Sequence, residues 1–410
     1  MKDWKAHHLD QLGTVARGKS RHRPRNDPAL YGGEWPFFQT GDVKEAQLYL
    51  TNFTQTYSDT GLAQSKLWPI GTLCITIAAN IAETAILGIP GCFPDSIVGF
   101  TADPAKADVR FIKYYIEMLK QEIQSASRGT TQDNLSVDKL LTFDFVVPEI
   151  GQQKEIASIL SAYDDLIENN TRRIAILEEM ARRIYDEWFV RFRFPGHEGV
   201  PMVESELGLV PEGWGFTALG DLVNDMRDTV NPDAVAPETP YVGLEHIPRR
   251  SIALADWGQA IDVTSTKLRF RARDILFGKI RPYFHKVAVA PVAGVASSDA
   301  IVMRVKSDKN FGMALAVVSS DAFVAHATQT SNGTKMPRAN WGVLRQYPVP
   351  TPPDELQARF SDFMEKVVAT VSNYVLRNRN LRTTRDLLLP KLISGELDVS
   401  TLPEPQAETT

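Results

Sequence analysis

The sequence predicts an α+β fold in which a mixed α/β domain followed by a long helix occurs twice. Three observations lead to this prediction. Blocks of similar sequence recur at a shift of about 204 residues, segments rich in β-branched residues precede a helix in each half, and each half ends in a long heptad pattern. With 410 residues, the chain is long enough for two or three domains, each with its own core.

The repeated blocks occur in one order along the chain. Leu73 begins the apolar run L-C-I-T-I where Leu276 begins L-F-G-K-I. Asp95 begins D-S-I-V-G-F where Asp299 begins D-A-I-V-M-R, and Val147 begins V-P-E-I-G-Q-Q where Thr351 begins T-P-P-D-E-L-Q. One such match could arise by chance, whereas several matches in one order at one spacing predict an internal duplication.

Short β-branched segments bounded by Gly and Pro predict the strands of each domain. They fall at 73–77, 84–89 and 96–100 in the first half and at 275–280, 287–290 and 300–305 in the second half, with helices near 109–125 and 311–327. The pattern divides the chain into a first α/β domain at 1–148, a long helix at 149–193, a Pro- and Gly-rich linker at 194–213, a second α/β domain at 214–351, a second long helix at 352–397 and a loose tail at 398–410.

The two long helices carry apolar residues at a 3.5-residue period, which is typical of a coiled coil. The first set is Ile156, Leu160, Tyr163, Ile167, Asn170, Ile174, Leu177, Ala181, Ile184 and Trp188. The second set is Phe360, Met364, Val367, Val371, Tyr374, Asn378, Leu381, Arg385, Leu388 and Leu392. We therefore expect the two helices to pair.

The polar residues within these two sets favour an antiparallel orientation. One antiparallel register places Asn170 against Asn378, so that the two buried amides can satisfy each other. The same register places Arg385 over the ring of Tyr163, a cation-π contact. A parallel register would set each asparagine against Tyr374 or an isoleucine and leave polar groups unpaired. The sequence thus predicts an antiparallel coiled coil.

Enzyme signatures are almost absent. Residues 13–20 fit the phosphate-loop pattern G-x-x-x-x-G-K-[ST], but that motif needs a buried strand before it and a helix after it. Here the preceding segment is polar, and Pro24 and Pro28 lie where the helix should run. Nucleotide binding therefore stays a weak alternative. The 7 histidines form no metal-ligand spacing, so we expect neither a metal site nor catalysis.

Basic and polar loops suggest contact with nucleic acid, although a solvated surface loop is the competing reading for any one residue. The net charge of −5 argues against a wholly basic surface, so the local runs carry the prediction. Arg and Lys suit phosphates and guanine edges, and Gln suits adenine. The candidate DNA-binding residues are Lys19, Arg21, Arg23, Arg25, Arg128, Thr131 and Gln132 in the first half, and Lys279, Arg281, Tyr283, His285, Lys286, Lys335 and Arg338 in the second half.

The sequence favours a cytoplasmic location. The N-terminus lacks the apolar region of a signal peptide, and no apolar run is long enough for a membrane span. The 2 cysteines are too few for a disulfide framework.

Several motifs together resemble the specificity (S) subunits of type I restriction-modification systems. They are L-G-T-V-A-R-G-K-S at 12–20 with its partner L-G-D-L at 219–222, V-V-P-E-I-G-Q-Q-K-E-I at 146–156, M-A-R-R-I-Y-D-E-W-F-V at 180–190, E-L-G-L-V-P-E-G-W at 206–214 and L-L-L-P-K-L-I-S-G-E-L at 387–397. The resemblance covers nearly the whole chain.

This resemblance implies a non-catalytic subunit of a DNA methyltransferase/endonuclease complex. The α/β domains would be two target recognition domains, each reading one part of a bipartite site in double-stranded DNA. The long helices would dock the modification (methyltransferase) subunits, two of them, and restriction (translocase/nuclease) subunits would join. The chain itself would bind no cofactor, while S-adenosylmethionine, ATP and Mg would belong to the partner subunits.

One departure and one alternative accompany the resemblance. The segment N-I-A-E at 80–83 lacks the basic residues found at Lys279 and Arg281, so the strand-loop contact expected in the second half is in doubt for the first. The alternative function is a coiled-coil scaffold that binds proteins and has no DNA specificity.

Overall fold

The computed structural model describes residues 4–127, 135–205 and 208–399. The chain forms two compact units, one made of Met1–Glu168 with Leu381–Thr410 and the other of Asn169–Asn380. The boundary falls within both long helices, so each unit contains a segment of each helix.

The first unit is built on a five-stranded sheet. Its elements are β1 (Lys5–His7), α1 (Leu9–Leu12), β2 (Gly13–Arg17), β3 (Tyr31–Phe37), α2 (Thr40–Glu45), β4 (Tyr49–Leu50), β5 (Gln55–Tyr57), α3 (Asp59–Ala63), β6 (Leu73–Thr76), β7 (Thr84–Leu87), β8 (Ile97–Ala102), α4 (Val109–Ser127), α5 (Val137–Leu140), β9 (Phe145–Val147) and α6 (Ile150–Tyr185). The strand order is β2-β8-β6-β7-β4, and β1 pairs separately with β9. The central strand β6 is buried on both faces, as its apolar sequence requires.

The second unit contains a four-stranded and a five-stranded sheet, together with two two-stranded pairs. Its elements are β10 (Met202–Ser205), β11 (Gly208–Pro211), β12 (Gly215–Ala218), α7 (Leu219–Leu222), β13 (Val223–Asp225), β14 (Thr229–Val230), β15 (Pro240–Val242), β16 (Gly258–Gln259), β17 (Lys267–Phe270), β18 (Ile275–Gly278), β19 (Val287–Val289), β20 (Gly294–Ala296), β21 (Ala300–Val305), α8 (Phe311–Val318), α9 (Asp321–Gln329), α10 (Trp341–Leu344), β22 (Pro348–Thr351) and α11 (Asp354–Ile393). The four-stranded sheet has the order β13-β21-β18-β19 and the five-stranded sheet β14-β17-β20-β15-β16, and the two pairs are β10-β11 and β12-β22.

The sheet β13-β21-β18-β19 repeats the order β2-β8-β6-β7 of the first unit, which confirms the internal duplication. In the same way, β12 pairs with β22 as β1 pairs with β9. The register also corrects the alignment made from sequence. Leu73 lies opposite Phe100 and Ile275 opposite Met303, so Ile275 rather than Leu276 is the counterpart of Leu73.

A second correction concerns the first strand of each sheet. Gly13 lies opposite Ala102 and Val223 opposite Val305 at the equivalent ladder position. Gly13 is therefore the counterpart of Val223, and not of Gly220 as the sequence motif suggested. The amide of Met226 donates to the carbonyl of Val302 and so extends the second ladder by one residue. Arg227 follows directly, at the place along the chain that corresponds to Arg17 at the end of β2.

The segment predicted as a linker at 194–213 contains the hairpin β10-β11 and is partly packed. Val210 is buried, and the rings of Phe192 and Phe194 lie 5.2 and 5.4 Å from that of Trp214. Aromatic residues at the two ends of the Pro- and Gly-rich segment therefore anchor it by ring packing.

The long helices α6 and α11 run antiparallel, as the sequence predicted. In the first unit, Ile156 and Leu160 of α6 pack in one core with Leu388 and Leu392 of α11. In the second unit, α6 residues Ile174 and Ala181 share a core with α11 residues that lie earlier in the chain, Val371, Val367 and Met364. Residue numbers therefore rise along one helix as they fall along the other.

The buried asparagines lie on one layer. The side-chain amide of Asn170 donates a 2.8 Å hydrogen bond to Oδ1 of Asn378, and Asn378 donates a 3.3 Å bond to the hydroxyl of Thr171. One turn along, the guanidinium of Arg173 lies 5.9 Å from the ring centre of Tyr374 and donates to its hydroxyl at 3.2 Å.

The expected contact between Arg385 and the ring of Tyr163 is replaced by an ion pair. Arg385 donates instead to the carboxylates of Asp164 and Asp386. Asp164 is fully buried and also accepts a 2.5 Å hydrogen bond from the hydroxyl of Tyr114 on α4. An arginine beside a buried carboxylate gains more from the opposite charge than from a ring face.

The ends of the described chain and its apolar helices complete the fold. Leu397 and Val399 pack on the core of the first unit, so the predicted loose tail does not begin at 398, and its residues 400–410 lie outside the described residues. Among the described residues, no single helix is long and apolar enough to cross a membrane. One pair of helical segments, Asp308–Val318 and Asp321–Gln329, is together long and apolar enough for a membrane span, but the two segments are bent relative to each other by 67°.

Candidate nucleic-acid interface

The basic run of the first unit forms an ordered loop after β2. The backbone amides of Gly18 and Lys19 donate to the carbonyls of Ile97 and Phe93 at 2.9 and 3.1 Å. The backbone amide of Arg21 donates to the side chain of Gln64 at 2.6 Å. These bonds fix the loop backbone, while the side chains of Lys19 and Arg21 are exposed.

Two of the four predicted cations in this loop are already engaged. Arg25 donates from Nη2 to both carboxylate oxygens of Asp95 at 3.0 Å, and Arg23 donates to the carbonyls of Ser20 and His22 at 2.8 Å. Arg23 and Arg25 are nevertheless exposed. Lys19 and Arg21 are therefore the stronger candidates for phosphate contact, because no carboxylate offsets their charge in the described structure.

The structure adds two cations to this face that are not among the candidate residues chosen from the sequence. Arg17, the last residue of β2, is exposed and donates to the carbonyl of Asp95 at 3.0 Å. Lys66 lies 3.5 Å from the ring centre of Trp68, and partial burial together with the nearby charge of Lys19 lowers the pKa of its ammonium group. The sequence K-L-W at 66–68, a cation beside an aromatic, is the signal that could have identified Lys66.

The phosphate-loop pattern does not form a nucleotide site. Gly13–Arg17 is strand β2 rather than a loop. A Cβ atom on Gly18 would lie 2.3 Å from the carbonyl oxygen of Pro94 and 2.4 Å from that of Phe93, so glycine is needed for close backbone packing. The remaining candidates of the first half, Arg128, Thr131 and Gln132, lie outside the described residues.

In the second unit, the structure brings Lys279 and Arg338 together. The amide of Ala339 donates to the carbonyl of Lys279 at 2.8 Å, and Ile280 forms a bridge with Arg338. The two residues line one open groove of about 250 Å³, together with Arg227, Asn332, Asn340 and Trp341. Arg227 lies two residues beyond β13, at the place along the chain that corresponds to Arg17, and it is also absent from the candidates predicted from sequence.

Two predicted residues of the second half point into the protein instead. His285 is 7% exposed, and its Nε2 lies 2.8 Å from the carbonyl oxygen of Ser319. Lys286 donates its ammonium to the carbonyl of Leu244, and burial followed by the charge of Arg249 lowers its pKa. Both side chains satisfy internal groups, so neither is free to contact DNA.

The other candidates of the second half do not line this groove. Arg281 is half-buried, and its guanidinium lies 5.9 Å from the ring centre of Phe284. Tyr283 and Lys335 are exposed. Lys335 lies on the hairpin that Asn332 and Arg338 close through reciprocal backbone hydrogen bonds of 3.0 and 2.8 Å.

Among the described residues, no group of three or more His, Cys, Asp or Glu side chains is arranged to hold a metal ion. Basic and amide side chains thus dominate both candidate faces. Such donors suit an acceptor-rich partner such as a nucleic acid.

A family model described as the type I restriction modification DNA specificity domain matches residues 1–179 and 211–376. The two matches correspond to the two repeats, each with most of its long helix, and together cover most of the chain. The chain belongs to this family. It is a DNA-recognition subunit of a type I restriction-modification system, a non-catalytic component that assembles with the other subunits of such a complex and with DNA.

Relatives of similar length carry the same description. The specificity subunit of the type I restriction enzyme MjaIX from Methanocaldococcus jannaschii is 22% identical over 416 residues, covering 98% of this subunit and 95% of that protein. The specificity subunit of the EcoDI enzyme from Escherichia coli is 23% identical over 427 residues, covering 96% and 89%.

A solved structure shares the fold. The crystal structure of the type I restriction-modification S subunit from M. genitalium aligns with a TM-score of 0.61 at 13% identity, covering 95% of this specificity subunit and 96% of that chain. At that identity the likeness establishes the fold, and the site residues must be argued from this chain alone.

Proposed function

We propose that each repeat of this specificity subunit reads one part of a bipartite site in double-stranded DNA. The first repeat would use the loop after β2, and the second would use the groove around Lys279 and Arg338. The observation that carries the proposal is the equivalence of Arg17 and Arg227. Arg17 is the last residue of β2, and Arg227 lies two residues beyond β13, the equivalent strand; both are exposed, and both lie among further cations.

The side chains of the two faces suit two kinds of DNA contact, one to phosphates and the other to base edges. Exposed cations without a neighbouring carboxylate, such as Lys19, Arg21 and Lys335, suit phosphates, whose contacts position a protein without specifying sequence. Side chains held on a rigid backbone suit base edges, because discrimination between bases needs a fixed donor geometry. We retain Arg23, Arg25, Arg281 and Tyr283 as contacts of lower priority.

The long helices offer surfaces for the partner subunits. Leu166 and Leu387 in the first unit, and Ile176 and Met180 in the second, are large apolar side chains with 45% or more of their surface exposed. Exposed apolar groups on a helix favour burial against another helix. We propose that these faces dock two modification subunits and that restriction subunits join the same complex.

The cofactors of the reaction would lie on those partners. We propose that S-adenosylmethionine binds the modification subunits and that ATP and Mg act with the restriction subunits, while this chain holds none. We also propose a cytoplasmic location. The cysteines Cys74 and Cys92 are both free and buried, which suits a reducing compartment.

The test uses the subunit with its modification partners. In a host without DNA methylation, co-expression should produce one methylated motif made of two parts with an unread gap, mapped by single-molecule sequencing. In filter binding, the complex should retain duplexes with this motif far better than the subunit alone, since the net charge of −5 leaves few phosphate contacts to one chain.

The same experiment separates the alternative function. A protein-binding scaffold without DNA specificity would leave the methylated sequence unchanged when another specificity subunit replaced it. A motif that follows the identity of this chain excludes the scaffold reading.

A further inference from the structure

One groove of the second unit is lined by three cations. Its lining residues include Arg227, Lys279 and Arg338, two asparagine amides and Trp341, and no carboxylate belongs to that lining. These side chains surround a groove of about 250 Å³ with hydrogen-bond donors. The groove is therefore suited to a ligand that presents hydrogen-bond acceptors.

The backbone around the groove is held rigidly. The amide of Lys279 donates to the carbonyl of Asp299 at 3.0 Å, and the carbonyl of Lys279 accepts from Ala339 at 2.8 Å. Arg338 and Asn332 exchange backbone hydrogen bonds in both directions. The backbones of Lys279 and Arg338 are thus fixed side by side on paired segments rather than on free loops, which favours the defined donor geometry that base discrimination requires.

Each arginine in the groove is oriented by a carboxylate just outside its lining. Nε of Arg227 donates to Oδ2 of Asp225 at 2.6 Å, and Asp225 is only 6% exposed. The guanidinium of Arg338 lies 3.7 Å from Oδ1 of Asp299. A paired carboxylate offsets the positive charge and so weakens attraction to phosphate. It leaves the other N–H groups of the guanidinium fork in a defined direction.

We propose that this groove reads a guanine in the half-site bound by the second repeat, with Arg227, Lys279 and Arg338 as its specificity-determining residues. The inference rests on the proposed function. Guanine is the base whose major-groove edge presents two acceptors, N7 and O6, to arginine or lysine donors. Adenine presents N7 together with a donating amino group, and cytosine presents an amino group, so three cationic donors disfavour both.

The first repeat has no equivalent of the lysine in this groove. Thr76 lies opposite Ile97 and Gly278 opposite Ala300 at equivalent ladder positions, which makes Ile77 the counterpart of Lys279. Ile77 is buried and apolar. Although Arg17 and Arg227 correspond, the lysine of the groove has no counterpart in the first half. The proposed guanine-binding groove therefore belongs to the second repeat and its half-site alone.

The test compares variants of the whole complex with its modification subunits. Arg227→Ala and Lys279→Ala should make one G·C position of the second half-site degenerate in the methylated motif and leave the first half-site intact. In competition binding, replacing that G·C pair by A·T should weaken the wild-type complex about 5- to 150-fold, and the variants should lose this discrimination.

Two further variants separate base reading from charge and from folding. Lys335→Ala, an exposed lysine on the same hairpin, should weaken all duplexes equally and leave the motif unchanged. Asp225→Asn should reduce discrimination without reducing affinity for random-sequence DNA, because Asp225 positions the guanidinium of Arg227. An unchanged first half-site in every variant shows that the subunit is still folded and assembled.

The outcomes are distinguishable. If the wild-type complex yields no bipartite motif at all, the proposed function fails. If the motif exists but its second half contains no G·C pair, or keeps that pair in both Arg227→Ala and Lys279→Ala, the guanine groove is wrong while the proposed function stands.

Discussion

Replacing Asn170 with leucine should destabilise the specificity subunit through the amide pair in the helix core. Asn170 and Asn378 are 8% and 3% exposed, and the bond between them is 2.8 Å long. Leucine at 170 removes the donor to Oδ1 of Asn378 and leaves a buried acceptor, which costs about 1–3 kcal/mol. The ratio of folded to unfolded protein should fall about 5- to 150-fold.

The double variant Asn170→Leu with Asn378→Leu should recover much of this loss. Two leucines replace both polar groups and pack as ordinary core residues. The double variant should therefore lose less free energy of unfolding than the sum of the two single losses, by about 1 kcal/mol or more. Urea unfolding followed by circular dichroism gives the free energy of unfolding of each variant. Asn169→Leu, an exposed neighbour on the same helix, is the matched control and should change stability by about 0.5 kcal/mol or less.

Simple addition of the two losses in the double variant would refute this reasoning. It would mean that the two asparagines do not share a layer in solution, and the antiparallel register would have to be shifted. A loss in Asn169→Leu as large as that in Asn170→Leu would also contradict the argument, because the effect would then not depend on burial.

Three further predictions follow from the charges of the structure. Changing Lys19 and Arg21 to Ala should reduce the slope of log affinity against log salt by about 1.8, at about 0.9 per lost phosphate contact, in filter binding of the complex. Arg385→Met should lower the free energy of unfolding by about 3 kcal/mol, because the fully buried carboxylate of Asp164 loses its cation. Glu178→Gln should be more stable than the wild type at neutral pH and not at acid pH. Burial raises the pKa of Glu178 above its ordinary 4.5, so the folded wild type loses stability as the pH rises through that range, whereas glutamine does not titrate.

Each of these three has a contradicting result. An unchanged salt slope would make the first loop an ordinary solvated segment. Full stability of Arg385→Met would mean that the hydroxyl of Tyr114 alone satisfies the buried Asp164. The third contradicting result is a stability difference between Glu178→Gln and the wild type that stays constant between pH 4 and pH 7. That result would show that the pKa of Glu178 is the same in the folded and the unfolded chain, as for a free carboxyl group.

Much of the fold could be predicted because it depends on local and repetitive patterns. The heptads of the long helices fix which residues face the partner helix, and Asn170 then selects the register by hydrogen-bond pairing. The duplication was visible because the strands at Asp95 and Asp299 keep the same apolar pattern. The second sheet of the second unit was not predicted, since its strands are as short as Thr229–Val230 and Gly258–Gln259.

The candidate site was less predictable because it depends on contacts between distant segments. His285 is buried by Ser319, 34 residues away, and nothing in the run G-K-I-R-P-Y-F-H-K distinguishes it from its exposed neighbours. Arg227 was not among the candidates, and the alignment of Gly13 with Gly220 followed a shared dipeptide, whereas the ladder aligns Gly13 with Val223. Lys66 lies near Lys19 only in the folded chain, so the sequence does not place it on the first face.

The central claim is that each repeat reads its own half of the DNA site. The most direct measurement is a methylation map of a host that expresses the complex after residues 214–351 have been replaced by the equivalent segment of a relative with a different motif. The account predicts that one half of the methylated sequence changes to that of the relative while the other half stays the same. A change in both halves, or in neither, would contradict it.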